Sequence, residues 1–438
     1  MKGLNEIQSK LGIEMNGMQE AAMNAILHTN RDVLILSPTG SGKTLAYLLP
    51  LTQLLNPEVP TVQAVVIVPG RELALQSAEV LNNMGSGLKA IACYGGRTAM
   101  EEHRRIKSIN PHVIFATPGR LNDHLDKTNF NVDDIKLVII DEFDKCLEMG
   151  FQDEMSRIFA KLSHVKRHIL LSATKAESIP QFIQMGRTEK VDYLSTEQVP
   201  DRVIIHQVAS PIKDKLDTLQ QLLCDIGDDS SIVFLNYRDS VERTADYLRQ
   251  QGFTISVFHG GLEQKEREDA LYKFSNKSAN VLVSTDLASR GLDIPDIANI
   301  IHYHLPESEE GYIHRVGRTA RWDKMGRTFF ILGPDEVIPA YIDGTLIDYR
   351  ISETLPTPPK PQMATLYIGK GKKDKLSKGD IVGFLCKKGR LQSSEIGRID
   401  VKDRYTYVAI SNLRLRQVLK LVQGEKIKGL RTVIEEVK

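Results

Sequence analysis

LVIIDEFD, Leu137 to Asp144, runs four apolar residues straight into Asp141 and Glu142, with Asp144 two positions further on. A short β-branched run of this kind reads as a strand buried on both faces, so the acidic groups at its end must answer to something other than packing. Upstream, SPTGSGKT (Ser37 to Thr44) follows a second such run, DVLIL from Asp32. Gly40 and Gly42 let the backbone of this loop, with Thr39 and Ser41, curl so that N–H groups face phosphates at a helix N-terminus. Lys43 would reach the β- and γ-phosphates, and the Thr44 hydroxyl would ligate Mg²⁺. Asp141 would hold the ion through water, and Glu142 would orient and polarise the attacking water. The two stretches together predict a nucleoside-triphosphate hydrolysis site using Mg²⁺.

The neighbouring sequence repeats the same architecture. AVVIV from Ala64, HVIFA from His112 and HILL from His168 join the two runs above as buried parallel strands separated by helix-length segments. The pattern then restarts with SIVFL from Ser231, TISVF from Thr254, NVLVS from Asn280, NIIHY from Asn299 and RTFFIL from Arg327. Two α/β domains in series are predicted, 1–198 and 203–348, joined near STEQVPDR, Ser195 to Arg202. Residues 349–364, with RISETLPTPPKPQM, read as a Pro-rich linker. Residues 365–438 read as strand, helix, strand, strand, helix, strand, a small α+β domain of the size of an RNA-recognition fold.

At 438 residues the chain exceeds what one ordinary core supports, in keeping with several domains. It holds no apolar run of membrane-spanning length and its N-terminal stretch has no signal-peptide core, which predicts a cytoplasmic protein without a membrane partner. Cys93, Cys146, Cys224 and Cys386 are scattered without CxxC spacing, excluding a disulfide framework or zinc motif in favour of small buried hydrophobes. The net charge of +1 conceals an asymmetry: residues 365–438 carry 18 Lys/Arg against 8 Asp/Glu, a balance of +10 that leaves −9 for the rest. An anionic partner for the tail follows.

Further polar segments each follow a predicted strand: PGRELALQ from Pro69, TPGR from Thr117, SAT from Ser172 and STDLASRGLDIP from Ser284. In open parallel sheets ligands bind beyond the strands' carboxyl ends, so these segments should share one face of their domain. With them the chain resembles the DEAD-box ATP-dependent RNA helicases of superfamily 2, over Gln19 to Arg321. The resemblance implies two tandem RecA-like parallel-sheet domains followed by an RRM-like βαββαβ domain. It makes Gln19 the adenine reader and assigns Asp144, Ser172, Thr174 and His314 to coupling hydrolysis with domain closure. Arg71, Gly96, Thr117 and Arg120 fall on positions that hold the RNA backbone; Phe234 to Asn236, Gln264, Arg267 and Thr285 fall on segments that contact RNA or help hold the closed state. Asp293 lies near the nucleotide in this scheme, and HRVGRTAR (His314 to Arg321) supplies the arginine finger, with Arg315 and Arg318 expected at the γ-phosphate. An arginine donated from a second domain stabilises transition-state charge only when the domains close.

Four positions depart from that family's pattern. Phe143 stands for the usual alanine and is expected to point into the domain; MNGMQ replaces Pro-Thr-Pro-Ile-Gln and lacks an aromatic before Gln19; Gly70 replaces a threonine and Ala320 a glycine. The tail resembles the C-terminal RNA-binding domain of DbpA-like helicases, which are associated with a 23S ribosomal RNA hairpin and large-subunit assembly. Lys372, Lys373, Lys375 and Arg404 are its candidate RNA contacts, while Tyr367, Tyr405 and Tyr407 could stack on bases or merely fill a strand face. The reading is a monomeric helicase that unwinds or remodels short RNA duplexes, with an RNA clamp of weak ATPase activity and a DNA helicase as alternatives.

Overall fold

The computed structural model describes all residues except 1–2, 97–98, 176–178, 195–202, 290–296, 320–324 and 438, with the side chain of Asn5 also outside the description. The predicted domain joint at Ser195 to Arg202, the segment around Asp293, Ala320 and Arg321 lie outside the described residues. Two compact units are present, the first holding the N-terminal sheet and the second holding the other large sheet and the tail.

The first unit contains β1 (Asp32–Leu36), β2 (Ala64–Ile67), β3 (Ala90–Cys93), β4 (Val113–Ala116), β5 (Leu137–Ile140), β6 (His168–Ser172) and β7 (Thr188–Asp192), in the order β3-β4-β2-β5-β6-β1-β7. Every pairing is parallel, for example Val33 with Ile169 and Val65 with Val138. Helices α1 (Leu4–Leu11), α2 (Gly17–His28), α3 (Lys43–Leu54), α4 (Arg71–Asn83), α5 (Ala99–Ile109), α6 (Pro118–Asp126), α7 (Phe143–Glu148) and α8 (Gln152–Lys161) accompany it. Alternate residues along the strands feed separate apolar clusters on the two faces, Val66 and Ile139 on one, Ile67 and Ile140 on the other. That two-sided burial explains the near-continuous apolar runs.

The second unit repeats the plan with β8 (Val203–Ala209), β9 (Ser231–Phe234), β10 (Ile255–Phe258), β11 (Val281–Ser284), β12 (Asn299–His302), β13 (Gly326–Leu332) and β14 (Leu346–Asp348), ordered β10-β11-β9-β12-β13-β8-β14. Its helices are α9 (Leu216–Ile226), α10 (Arg238–Gln250), α11 (Gln264–Ser275) and α12 (Glu309–Val316). Strands β3, β7, β8 and β14 add to the five foreseen in each half; β7 and β14 are edge strands, and exposed residues in each interrupt the apolar pattern.

The tail is built from β15 (Met363–Ile368), α13 (Lys378–Lys387), β16 (Ile396–Val401), β17 (Thr406–Ser411) and α14 (Leu415–Val422), followed by β18 (Lys426–Ile427), β19 (Leu430–Arg431) and β20 (Ile434–Glu436). The expected last strand is thus divided. Lys428 and Gly429, with φ of 52° and 81°, form a two-residue turn that pairs Ile427 with Leu430, and only Ile434–Glu436 continues onto β15. The antiparallel sheet runs β16-β17-β15-β20. Cys93, Cys146 and Cys224 are buried free thiols. Among the described residues no helix is long and apolar enough to cross a membrane.

Phe143 points into the domain, fully buried in the cluster that contains Ile140, Cys146, Met155 and Leu170. Phe143→Ala would therefore leave a cavity, lowering the stability of the first unit by about 3–5 kcal/mol. Urea unfolding followed by far-ultraviolet circular dichroism checks this; an unchanged first transition would show that the neighbours collapse into the space.

Candidate functional site

The strand order sorts the loops of the first unit into two groups. Adjacent strands β5, β6 and β1 end in the acidic stretch, the SAT segment and the Gly-rich loop; adjacent strands β3, β4 and β2 end near Gly96, Thr117 and Arg71. All lie at carboxyl ends, where parallel sheets place ligands.

In the Gly-rich loop Gly40 and Gly42 have φ of 83° and 86°, the left-handed region that glycine adopts without a steric penalty. A Cβ on Gly42 would also stand 2.3 Å from Gln19 Nε2. Lys43 is buried at the start of α3 and donates to the carbonyls of Ser37 and Pro38 at 2.6 and 2.9 Å, which holds its ammonium inside the curl. Among the described residues the hydroxyls of Thr39 and Ser41 are buried without hydrogen-bond partners. Buried polar atoms left in this condition are costly, and a phosphate with its cation would satisfy such a set. Thr44 follows Lys43 in the first turn of α3.

The altered segment before Gln19 still docks on this loop. Gln19 donates to the Gly42 carbonyl at 3.2 Å and Asn16 to the Ser41 carbonyl at 2.9 Å, while the same two residues form a reciprocal cap on α2. Asn16 is a site residue that sequence reasoning missed; the cap-like spacing of Asn16 and Gln19 was its signal.

At the end of β5, Asp141 and Glu142 are both buried. Burial first, then the charge of Glu142, hold the Asp141 carboxyl up at about 7, while Lys43 draws it down. Glu142 adopts a left-handed conformation with φ of 50°, an arrangement costing a non-glycine residue about 1–2 kcal/mol. With Asp141 it forms the two-residue turn from β5 into α7, which it caps. Asp144 then reaches the SAT segment: its Oδ2 accepts from the backbone N–H groups of Ala173 and Thr174 at 3.1 Å and from the Thr174 hydroxyl at 2.9 Å. Ser172 donates to the Thr174 carbonyl at 2.6 Å. Three of the four residues that the family resemblance assigns to coupling are thereby one connected cluster, and His314 is buried in the second unit.

In the other group of loops, Arg71 opens α4 and lies so close to Gly96 that a Cβ there would stand 2.7 Å from its Nη1. Thr117 caps α6, and the nearly buried Arg120 lies 3.6 Å from Glu102 Oε2. Glu102, absent from the sequence reading, is fully buried and accepts from the Tyr94 N–H at 3.1 Å and contacts His124 Nε2 at 3.0 Å. Cys93 completes a compact Cys/Glu/His group, but burial and Glu102 keep its thiol protonated. The group reads as a hydrogen-bonded support for Arg120.

In the second unit Arg315 is fully buried and its guanidinium is engaged on every side. Nε donates to Asp286 Oδ1 at 2.5 Å, Nη2 to Asn236 Oδ1 at 2.8 Å and to Asp286 Oδ2 at 3.2 Å, and Nη1 to the His304 carbonyl at 2.8 Å. His302 Nδ1 lies 3.3 Å from Nη1, its pKa held well below the ordinary value by burial and by Arg315. In this arrangement the Arg315 donors tie together the segments after β9, β11 and β12. Arg318 is also buried. Gln264 begins α11 and donates to Glu268 Oε1 at 3.2 Å, Arg267 lies over the Phe258 ring at 5.3 Å, and the Thr285 N–H donates to the Phe258 carbonyl at 3.3 Å. The structure thus gathers Gln264, Arg267 and Thr285 around the ends of β10 and β11.

In the tail Lys372, Lys373, Lys375 and Arg404 are exposed. The first two share an edge with Arg404, because the N–H groups of Lys372 and Lys373 donate to the carbonyls of Lys402 and Asp403 at 2.8 and 2.9 Å.

Comparison with known proteins matches residues 16–182 to the DEAD/DEAH box helicase family, 214–323 to the helicase conserved C-terminal domain and 365–436 to the DbpA RNA binding domain. The chain is 34% identical over 433 residues to the ATP-dependent RNA helicase DbpA of Escherichia coli, covering 95% of this chain and 93% of that protein. It is 35% identical over 361 residues to the ATP-dependent rRNA helicase rrp3 of Schizosaccharomyces pombe, covering 80% and 77%. Among solved structures, S. cerevisiae Dbp5 bound to RNA and ADP BeF3 superposes with a TM-score of 0.70 at 26% identity, covering 79% of this chain and 93% of that one.

Arg315→Ala removes buried charge-assisted hydrogen bonds to Asp286, Asn236 and the His304 carbonyl, so it is expected to destabilise the second unit by about 3 kcal/mol or more. Arg318→Ala is expected to lower ATP turnover by about a thousandfold. Calorimetry reads the first and steady-state phosphate release the second; an Arg315→Ala protein as stable as the parent but inactive would show that Arg315 serves the nucleotide and not the fold.

Proposed function

The chain belongs to the DEAD/DEAH box helicases, as an ATP-hydrolysing RNA helicase of the DbpA type, and on that premise we propose how its residues divide the work. The observation that carries the proposal is the buried Asp141–Glu142 pair, opposed by Lys43 and flanked by unsatisfied hydroxyls of the phosphate loop. Thr39 to Thr44 and Lys43 bind the ATP phosphates, and Gln19 lies against the same loop as the base reader. Thr44 and Asp141 hold Mg²⁺, which supplies charge neutralisation to the transferring phosphoryl group. Glu142 orients the attacking water. Arg318 supplies the transition-state cation; by family resemblance His314, Asp144, Ser172 and Thr174 couple hydrolysis to domain closure and Asp293 belongs to the nucleotide set.

Arg71, Gly96, Thr117 and Arg120 on the first domain, with Gln264, Arg267 and Thr285 on the second, grip the RNA backbone. Contacts to sugar and phosphate carry little sequence information, so target choice falls to the tail. The basic edge of Lys372, Lys373 and Arg404, with Lys375 nearby, suits an RNA partner. A ribosomal RNA substrate, remodelled during large-subunit assembly, is the favoured target, supported by the DbpA-type tail and by likeness to a protein named as an rRNA helicase.

Glu142→Gln keeps the side chain's size and removes its charge. ATP-dependent RNA binding should persist within about threefold while turnover falls by about a hundredfold or more. Fluorescence anisotropy with labelled RNA beside steady-state phosphate release checks this, and retained turnover would move the catalytic carboxylate elsewhere.

A further inference from the structure

The tail's four-stranded sheet has two faces. Leu366, Ile368, Val408 and Ile410 point into the tail's own core, so by strand alternation Thr365, Tyr367, Tyr407 and Ala409 occupy the other face. In an RNA-recognition fold that second face is where bases stack. Here it carries α11 of the second helicase domain. Tyr407 is 1% exposed, its ring 4.3 Å from that of Tyr272, and its hydroxyl donates to Asp269. Tyr405 donates to Glu268, and Lys265 Nζ stands 5.1 Å from the Tyr367 ring.

Beyond the end of the helix the contact is pinned by a closed ring of hydrogen bonds. Asn276 donates to Thr365 Oγ1 at 2.7 Å, Thr365 to Ser278 Oγ at 2.9 Å, and Ser278 to Asn276 Oδ1 at 2.6 Å. All three residues are buried, so each polar group has exchanged water for a partner across or beside the interface. Burial raises the Asp269 carboxyl and the Tyr407 phenol above their ordinary values. The Pro-rich linker is fastened as well: Ile351 and Leu355 pack on the second domain's core, and Asn412 binds the carbonyls of Pro361 and Gln362.

We infer that the aromatic sheet face of the tail is an intramolecular docking surface for α11, which mounts the tail on the second helicase domain as one body. The base-stacking reading of Tyr407 is thereby replaced: RNA can reach the tail through its exposed basic edge while α11 stays docked. The first turn of α11 carries Gln264 and Arg267, so the tail's basic edge and these helicase residues are held at a fixed spacing. The docking stands without the RNA assignments; only this consequence for RNA spacing rests on the proposed function.

Tyrosine nitration of the full chain by tetranitromethane, mapped by peptide mass spectrometry, tests the docking. Tyr237, 63% exposed, is the reactive reference, and Tyr312, 1% exposed within the second domain, reports on folding. In the parent chain Tyr407 should react at least about tenfold more slowly than Tyr237. Asp269→Arg and Asn276→Arg, both on the helicase side, should each bring Tyr407 close to the reference rate while Tyr312 stays protected. A Tyr407 as reactive as Tyr237 in the parent chain would overturn the inference. So would a Tyr407 still protected in both variants, since its shield would then be the tail alone.

Discussion

Parallel pairing of β6 with β1 on one side and β5 on the other is the constraint from which the site follows. It sends the Gly-rich loop, the SAT segment and the acidic strand end out of the same edge of the sheet. The bonding continues past the strands: the Ser37 N–H donates to the Ser172 carbonyl at 3.1 Å, and the Asp141 N–H to the Ile67 carbonyl at 3.0 Å. Loops anchored in this way are held by the core beneath them and need little rigidity of their own. The next strands in order, β2, β4 and β3, carry the candidate RNA contacts, so the two sets of candidate loops share one face but occupy different halves of it.

Within that frame the chemistry depends on charge kept out of water. Asp141 titrates near 7 because burial and Glu142 disfavour its ionised form, and a bound cation would reverse that balance. Asp144, by contrast, is satisfied by two N–H groups and a hydroxyl from Ala173 and Thr174, so it can connect the acidic turn to the SAT segment without a metal. Arg315 follows the same logic in the second unit, where its donors are consumed in holding three strand ends together.

Much of this was legible in the sequence because it depends on local pattern. Runs such as LVII and AVVI announce strands buried on both faces, and SPTGSGKT can serve few purposes other than binding phosphate. β7, TEKVD, was not legible, because an edge strand needs only one satisfied neighbour and its side chains can stay polar. Asn16, Glu102 and Asp286 were missed because each acts through a partner distant in sequence. For the same reason the motif around Arg315 could not reveal that Asp286 and Asn236 hold its guanidinium in this structure. Tail alternation put Tyr367 and Tyr407 on one face, but nothing local could say that α11 covers it.

The tail's docking gives the sequence asymmetry a structural meaning, because a balance of +10 within residues 365–438 is carried on a body joined to the second helicase domain. The central claim is that ATP hydrolysis at the β5, β6 and β1 loops is governed by RNA held at the neighbouring loops. Steady-state ATPase measurement of the full chain across a panel of ribosomal RNA fragments, with and without residues 365–438, tests it most directly. Turnover is expected to rise by about tenfold or more with RNA, and removal of the tail is expected to erase the preference among fragments. A hydrolysis rate identical with and without every RNA would contradict the account.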